Sequence, residues 1–160
     1  MKKGRNFEEN FRKSIDRDLP ELFFYRFKDG TATWDKNSTT TRFQSHNIAD
    51  CMIFYKTNLF IFELKSHKGK SLPFNCIRNT QYEEMFNASK KQHVYPFIII
   101  FFSEIEECYA INIKEITKFK MSTDRKSIPL EFCKEKGHKI NLTKLITNYR
   151  FDILSFLNNF

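Results

Sequence analysis

Glycine and proline are scarce in this chain, 4 of each in 160 residues. No Ser-, Gly- or Pro-rich stretch reads as a linker, and no segment repeats. That excludes a disordered or low-complexity protein and predicts one domain over residues 1–160. Cysteine is also sparse. Cys51, Cys76, Cys108 and Cys133 contain no CxxC pair, so zinc-ribbon and iron–sulfur spacing is missing and free, mostly buried thiols are expected. No apolar run approaches the roughly 18 residues of a membrane-spanning helix. Met1 to Asn6 leads into an amphipathic segment without the apolar stretch of a signal peptide. A cytoplasmic protein with no membrane partner is expected. Acidic residues are the minority charge, 19 against 27 Lys and Arg, for a net charge of +8. The excess is spread along the chain, which points to a polyanionic partner.

Phenylalanine is abundant, with 19 residues. Phe7, Phe11, Ile15 and Leu19 recur every four positions and predict a helix over 5–19, stopped by Pro20. Strands are expected at 22–27, 48–55 and 59–65, the last two joined at Lys56-Thr57-Asn58. Residues 28–46 are polar and loop-like, with Asp29-Gly30 as a turn signal. A second helix is expected over 77–92. The run within Tyr95–Phe102 is apolar on both faces and suits a central buried strand. A strand at 107–113, a short helix within 112–120 and a C-terminal helical stretch at 143–158 complete a mixed α/β reading. Residues 121–142 carry no decisive pattern.

The chemistry concentrates at Asp50 and at Glu63-Leu64-Lys65. A symmetric hairpin about Lys56–Thr57 places Asp50 opposite Glu63, with Cβ atoms roughly 5 Å apart. Two carboxylates at that distance can share Mg2+ (or Mn2+), which prefers oxygen ligands. A one-residue slip would separate them onto opposite faces. Lys65 shares a strand face with Glu63 and can reach a scissile phosphate or an attacking water. Leu64 points into the core and offers its backbone carbonyl as a further ligand. An isolated ExK more often marks a plain exposed Glu–Lys pair, but the surrounding Phe60, Ile61 and Phe62 argue for a buried strand, where charges are costly unless paired or metal-bound. On the first helix Glu8 lies about 20° beyond Ile15 at ~3.6 residues per turn. It borders the apolar stripe and is the better third carboxylate, whereas Glu9 faces away. Gln81 falls inside the stripe of Ile77, Met85 and Ala88 and needs polar partners there, from the site or from the core. Together these residues predict a metal-dependent nuclease.

The same residues resemble the RecU Holliday junction resolvases, members of the PD-(D/E)xK, restriction-endonuclease-like nucleases. Gly4 with Phe7-Glu8-Glu9 is similar to the family's opening helix. Asp50 and then Phe62-Glu63-Leu64-Lys65-Ser66 resemble its Asp…Glu-x-Lys core. Lys70-Ser71-Leu72-Pro73-Phe74-Asn75, with Ile77 and Gln81, resembles the next segment, and Phe97-Ile98-Ile99-Ile100 with Tyr109 the following strand pair. The likeness covers roughly residues 4–113 and weakens beyond. Ala49 stands where the superfamily's nominal motif has proline, and residues 28–46 are short against the stalk that similar proteins insert there, as in a compact phage-encoded member.

The resemblance implies an α/β fold with a restriction-endonuclease-like core, a central mixed β-sheet flanked by helices in the order αβββαβ. It implies a homodimer that nicks opposed strands of branched DNA, with a recombinase as protein partner. In that reading Asp50, Glu63 and Glu8, with the Leu64 carbonyl, hold the metal. Lys65 orients the attacking water or stabilises phosphate charge, and Gln81 organises the site. Arg5, Arg12, Lys13, Arg42, Lys68, Lys70 and Arg78 are candidates for phosphate contacts. His46 and His67 read as polar loop residues. Two rivals stay open: a nuclease of the same fold acting on duplex, flap or mismatched DNA, and a junction-binding protein without activity.

Overall fold

The computed structural model describes residues 3–27 and 47–160. Helix α1 (Lys3–Asp18) and strand β1 (Phe23–Arg26) are followed by β2 (Cys51–Tyr55) and β3 (Asn58–His67). β4 (Ser71–Pro73), a 3-10 turn (Phe74–Cys76) and α2 (Asn79–Ala88) lead to β5 (Val94–Phe102), β6 (Glu107–Asn112) and α3 (Ile113–Ser122). The chain continues through β7 (Ser127–Pro129), α4 (Leu130–Lys136), β8 (His138–Ile140), β9 (Leu142–Lys144), β10 (Tyr149–Phe151) and α5 (Ile153–Leu157).

Among the described residues six strands form the main sheet, in the order β1-β2-β3-β5-β6-β8. β3 and β5 run parallel and the other neighbours antiparallel, so the sheet is mixed, as expected. β5 is its central buried strand. Phe97, Ile99 and Phe101 enter a core beneath α1, α5 and β10, with Phe7, Phe11, Phe62, Phe151 and Phe156. Ile98, Ile100 and Phe102 enter a second core beneath α2, α3 and α4, with Met85, Ile113, Ile116 and Cys133. The period-2 alternation of a strand thus feeds both layers. Among the described residues no helix is long and apolar enough to cross a membrane. Cys51, Cys108 and Cys133 are free and buried, and Cys76 is free and exposed.

Helix α1 docks through the spacing that the sequence showed. Phe7, Phe11 and Ile15 are buried, and Leu19 packs at the margin. Ser14 adds a polar tie, because its hydroxyl accepts from Phe151 N at 3.0 Å and donates to Asn10 O at 2.8 Å. Two expectations need correction. The helix expected over 77–92 runs only from Asn79 to Ala88, because a 3-10 turn precedes it and His93 adopts φ 61° before β5. The helical stretch expected at 143–158 is mostly the β9–β10 hairpin, and only Ile153–Leu157 is helical. Tyr149 and Phe151 pack edge-on against Phe101, which holds that segment extended.

The β2–β3 hairpin closes over Lys56–Thr57, with Tyr55 paired to Asn58 and Cys51 to Phe62. Lys56 adopts φ 55°, a left-handed conformation that favours glycine. Lys56→Gly is therefore expected to raise stability by about 0.5–1 kcal/mol, read as an increased urea midpoint with an unchanged slope.

Candidate active site

The observed hairpin register ends at Cys51 opposite Phe62 and does not extend to the expected direct pairing of Asp50 with Glu63, because Asp50 lies in a bend and turns its N–H to Phe62. Asp50 lies just before β2, yet its backbone is still held on both sides. Asp50 N donates to Phe62 O at 3.1 Å, and Phe27 N donates to Asp50 O at 3.0 Å. The Asp50 carboxylate accepts from Leu64 N at 2.7 Å, which fixes it beside β3. Leu64 sends its own side chain into the core under α1.

Glu63 is only 1% exposed, in a position where an ionised carboxylate needs partners. Lys65 donates to Glu63 Oε1 at 2.5 Å, and Gln81 donates from α2 to Oε2 at 3.1 Å. The i, i+2 spacing on β3 makes the lysine contact, and the buried Gln81 and Met85 face of α2 makes the glutamine contact. Burial, and then the Asp50 charge, push the Glu63 carboxyl up to about 7, against the opposing pull of Lys65 and Arg78. Gln81 Oε1 is buried without a hydrogen-bond partner.

Glu8 lies across a small cleft that is also lined by Phe11, Arg12, Phe24, Arg26, Asp50, Cys51 and Leu64. The three carboxylates also share an electrostatic neighbour. Burial pushes the Cys51 thiol well above its ordinary range, and the charges of Asp50, Glu63 and Glu8 add to the rise while Arg26 opposes it. Glu8 accepts from the Arg26 guanidinium at 2.9 Å. Among the described residues no group of three or more His, Cys, Asp and Glu side chains converges as a ready-made metal cage. The residues at hand nonetheless suit a hard divalent cation. Asp50, Glu63 and the Leu64 carbonyl are all oxygen donors, Gln81 Oε1 is an orphaned one nearby, and the repulsion between Asp50 and Glu63 is what a cation relieves.

The expected phosphate contacts fare unevenly. Arg12 is bonded to Glu9 at 2.8 Å and Asp16 at 2.5 Å, and Lys13 reaches Glu9 at 3.5 Å, so Glu9 serves the helix surface. Lys68, Lys70 and Arg78 are exposed on the polypeptide that leads from β3 to α2. His67 ends β3 and is half-buried. Arg42, His46, the Arg5 side chain and the polar stretch at 28–46 lie outside the described residues. Sequence reasoning missed Arg26. The signal was available, since Arg26 stands two residues from Phe24 on β1, and Phe24 packs beneath α1.

The profile of the "Recombination protein U" family, RecU, matches residues 21–159. The chain belongs to the RecU family. The match runs well past residue 113, where the sequence resemblance weakens, so the C-terminal hairpin and α5 are part of the RecU pattern. Asp50, Glu63, Lys65 and Gln81 fall within it, whereas Glu8 precedes it. The chain is 31% identical to the SPbeta prophage-derived uncharacterized protein YotM of Bacillus subtilis strain 168, over 92% of this chain and 81% of that protein. It is 29% identical to the Holliday junction resolvase RecU of Streptococcus sanguinis strain SK36, over 64% of this chain and 52% of that protein. Its fold is that of Hjc, a Holliday junction resolvase from Archaeoglobus fulgidus, with a TM-score of 0.52 at 9% identity over 82% of this chain and 94% of that one. The restriction-endonuclease-like core expected from the sequence is therefore the fold of this RecU-family member.

Proposed function

We propose that the chain is a divalent-metal-dependent endonuclease that resolves four-way DNA junctions by paired nicking of the phosphodiester backbone, and that it acts as a homodimer with a recombinase as protein partner. The observation that carries this is the buried Glu63, within reach of the Asp50 charge and bonded to Lys65 at 2.5 Å, in a RecU-family chain. The four-way junction follows the streptococcal relative, a Holliday junction resolvase.

In this reading Asp50, Glu63 and the Leu64 carbonyl hold Mg2+ or Mn2+, and Glu8 supplies a third carboxylate from across the cleft. The ion would supply Lewis-acid activation of water and phosphate. Lys65 swings its ammonium from Glu63 toward the scissile phosphate and stabilises the charge that grows there. Gln81 keeps one Glu63 oxygen oriented and has its own Oε1 left to hold a water. Lys68, Lys70 and Arg78 contact flanking phosphates and position the DNA without reading its sequence. Gln81→Ala is expected to slow cleavage by roughly 10–100-fold with little change in DNA affinity, measured as single-turnover rates beside gel-shift titrations.

The proposal is tested by cleavage of labelled four-way junctions, linear duplexes and flaps with Mg2+ or Mn2+. The junction is expected to be cut in preference to the others. Equal cutting of linear duplex would remove the junction reading and leave a nuclease, and no cutting with either metal would remove both. Junction affinity is expected to fall roughly 10³-fold between 50 and 200 mM salt, as several phosphate contacts require. A flat salt dependence would contradict the basic surface assigned here.

A further inference from the structure

Two segments far apart in sequence meet where β3 leaves the main sheet, and they bring together cations that the proposed chemistry does not use. β4 pairs with β7, setting Ser71 against Pro129, Leu72 against Ile128 and Pro73 against Ser127. Phe74 N donates to Lys126 O at 3.0 Å and Leu130 N donates to Lys70 O at 2.8 Å, so the ribbon is tied at both ends. Leu72 and Ile128 root it in the core beneath α2, α3 and α4. Residues 68–78 and 120–126 carry six cations, Lys68, Lys70, Arg78, Lys120, Arg125 and Lys126, against one carboxylate, Asp124. All six are exposed. Other cations of this half of the chain are neutralised in place: Lys118 pairs with Glu115, Lys134 with Glu107 and Lys136 with Glu135. None of the six forms an ion pair among the described residues.

Lys120 is the most firmly seated of them. Its ammonium lies 4.7 Å over the Tyr82 ring and 5.7 Å from the Phe74 ring. Tyr82 is held by its hydroxyl, which donates to Thr117 at 2.7 Å, and Phe74 rests on Phe119 with ring centroids 6.4 Å apart. An aromatic seat fixes a cation without cancelling its charge. It also occupies the ring faces on which bases would stack, so the surface suits phosphates.

We propose that Lys120, Arg125 and Lys126 bind the phosphates of a duplex DNA arm, which runs along the β4–β7 ribbon. The proposal rests on the DNA substrate of the proposed function, and not on cleavage. Unpaired cations concentrated on one ribbon attract a polyanion. Strands of three residues span about 10 Å, or roughly three base-pair steps. The ribbon also adjoins the proposed site. β4 begins at Ser71, soon after β3 ends at His67, and the charge of Arg78 reaches Glu63 and lowers its carboxyl. An arm bound on the ribbon is thereby led toward Glu63.

Gel-shift titration in chelator between 50 and 200 mM salt tests this with a labelled linear duplex and a labelled four-way junction. Wild type is compared with Lys120→Gln/Arg125→Gln/Lys126→Gln, folding being checked by circular dichroism. The control is Lys56→Gln/Lys90→Gln/Lys91→Gln. Those exposed lysines precede the parallel strands β3 and β5, at the opposite end of the sheet from the ribbon. The ribbon variant is expected to bind both DNAs roughly 10–100-fold more weakly at 50 mM salt. Its slope of log affinity against log salt is expected to flatten by about 2.7, which is about 0.9 per lost contact. The control is expected to keep the wild-type slope and to lose less than about threefold in affinity. Arg125→Gln/Lys126→Gln, expected to flatten the slope by about 1.8, serves if loss of Lys120 disturbs folding. Ribbon variants that match the control would overturn the proposal, as would a wild type that binds neither DNA. Weaker binding with an unchanged slope would overturn it as well, because lost phosphate contacts must change the slope. Since binding is read without metal, a flattened slope supports the ribbon even if the chain cuts no junction.

Discussion

Asp50→Asn is expected to bind four-way junctions with near wild-type affinity and to cut them about 10³-fold more slowly or not at all. The substitution preserves shape, and the new amide oxygen can still accept from Leu64 N, so the hairpin is kept. What disappears is one of the two opposed negative charges that make the site attractive to a divalent cation. Loss of cutting with retained binding separates a ligand of the catalytic ion from a residue that holds DNA. Gel-shift titration and single-turnover cleavage on the same preparation read both quantities. Normal cutting by this variant would show that the catalytic site lies elsewhere.

Glu63→Gln is expected to abolish cleavage and, in chelator at pH 8, to stabilise the fold by about 2 kcal/mol. The folded-state carboxyl of Glu63 is raised to about 7 from an ordinary 4.5, first by burial and then by Asp50. The folded protein therefore holds this proton more tightly than the unfolded chain does. Between pH 4.5 and 7 the carboxyl is ionised when the chain unfolds but protonated when it folds. This group's contribution to stability is thus most favourable at low pH, falls as pH rises through that window and levels off above 7. Glutamine removes the dependence, and its amide can pair with Gln81 in either orientation. Denaturant titrations at pH 5.5 and pH 8 in chelator should show the variant's advantage mainly at pH 8. A divalent ion should raise the wild-type melting temperature more at pH 8 than at pH 5.5, because the ion competes with the proton for the same oxygens. An equal advantage at both pH values would mean that Glu63 is not a buried, proton-holding carboxylate in the folded chain.

The β2–β3 hairpin was legible because strand pairing is arithmetic. Once Lys56–Thr57 is taken as the turn, the partners follow from Tyr55–Asn58 to Cys51–Phe62, and the ladder stops there, one residue short of Asp50. The faces of α1 and α2 were legible for a similar reason, since a period of 3.6 places Phe7, Phe11 and Ile15, and likewise Gln81 and Met85, on one side. The C-terminal segment was not legible. Ile146, Tyr149 and Ile153 recur at three- and four-residue intervals and imitate a helix, but the outcome was decided by remote partners. Tyr149 donates to Glu106, Arg150 is paired with Asp18, and Phe151 N finds Ser14. No local pattern announces contacts that span so much of the chain. Arg26 was overlooked for a milder reason. A short strand with three aromatic neighbours draws attention to packing, and the use of its single cation emerges only when α1 brings Glu8 beside it.

In the proposed reaction this RecU-family chain uses Asp50, Glu63 and Lys65 to open a four-way junction by two coordinated nicks. The most direct measurement labels each of the four junction strands in turn and maps the cuts made by wild type with Mg2+. Nicks are expected in two opposed strands at matching positions, with products that ligase seals into linear duplexes. Cuts scattered over all four strands, or cuts confined to the arms as in any duplex, would contradict that reaction.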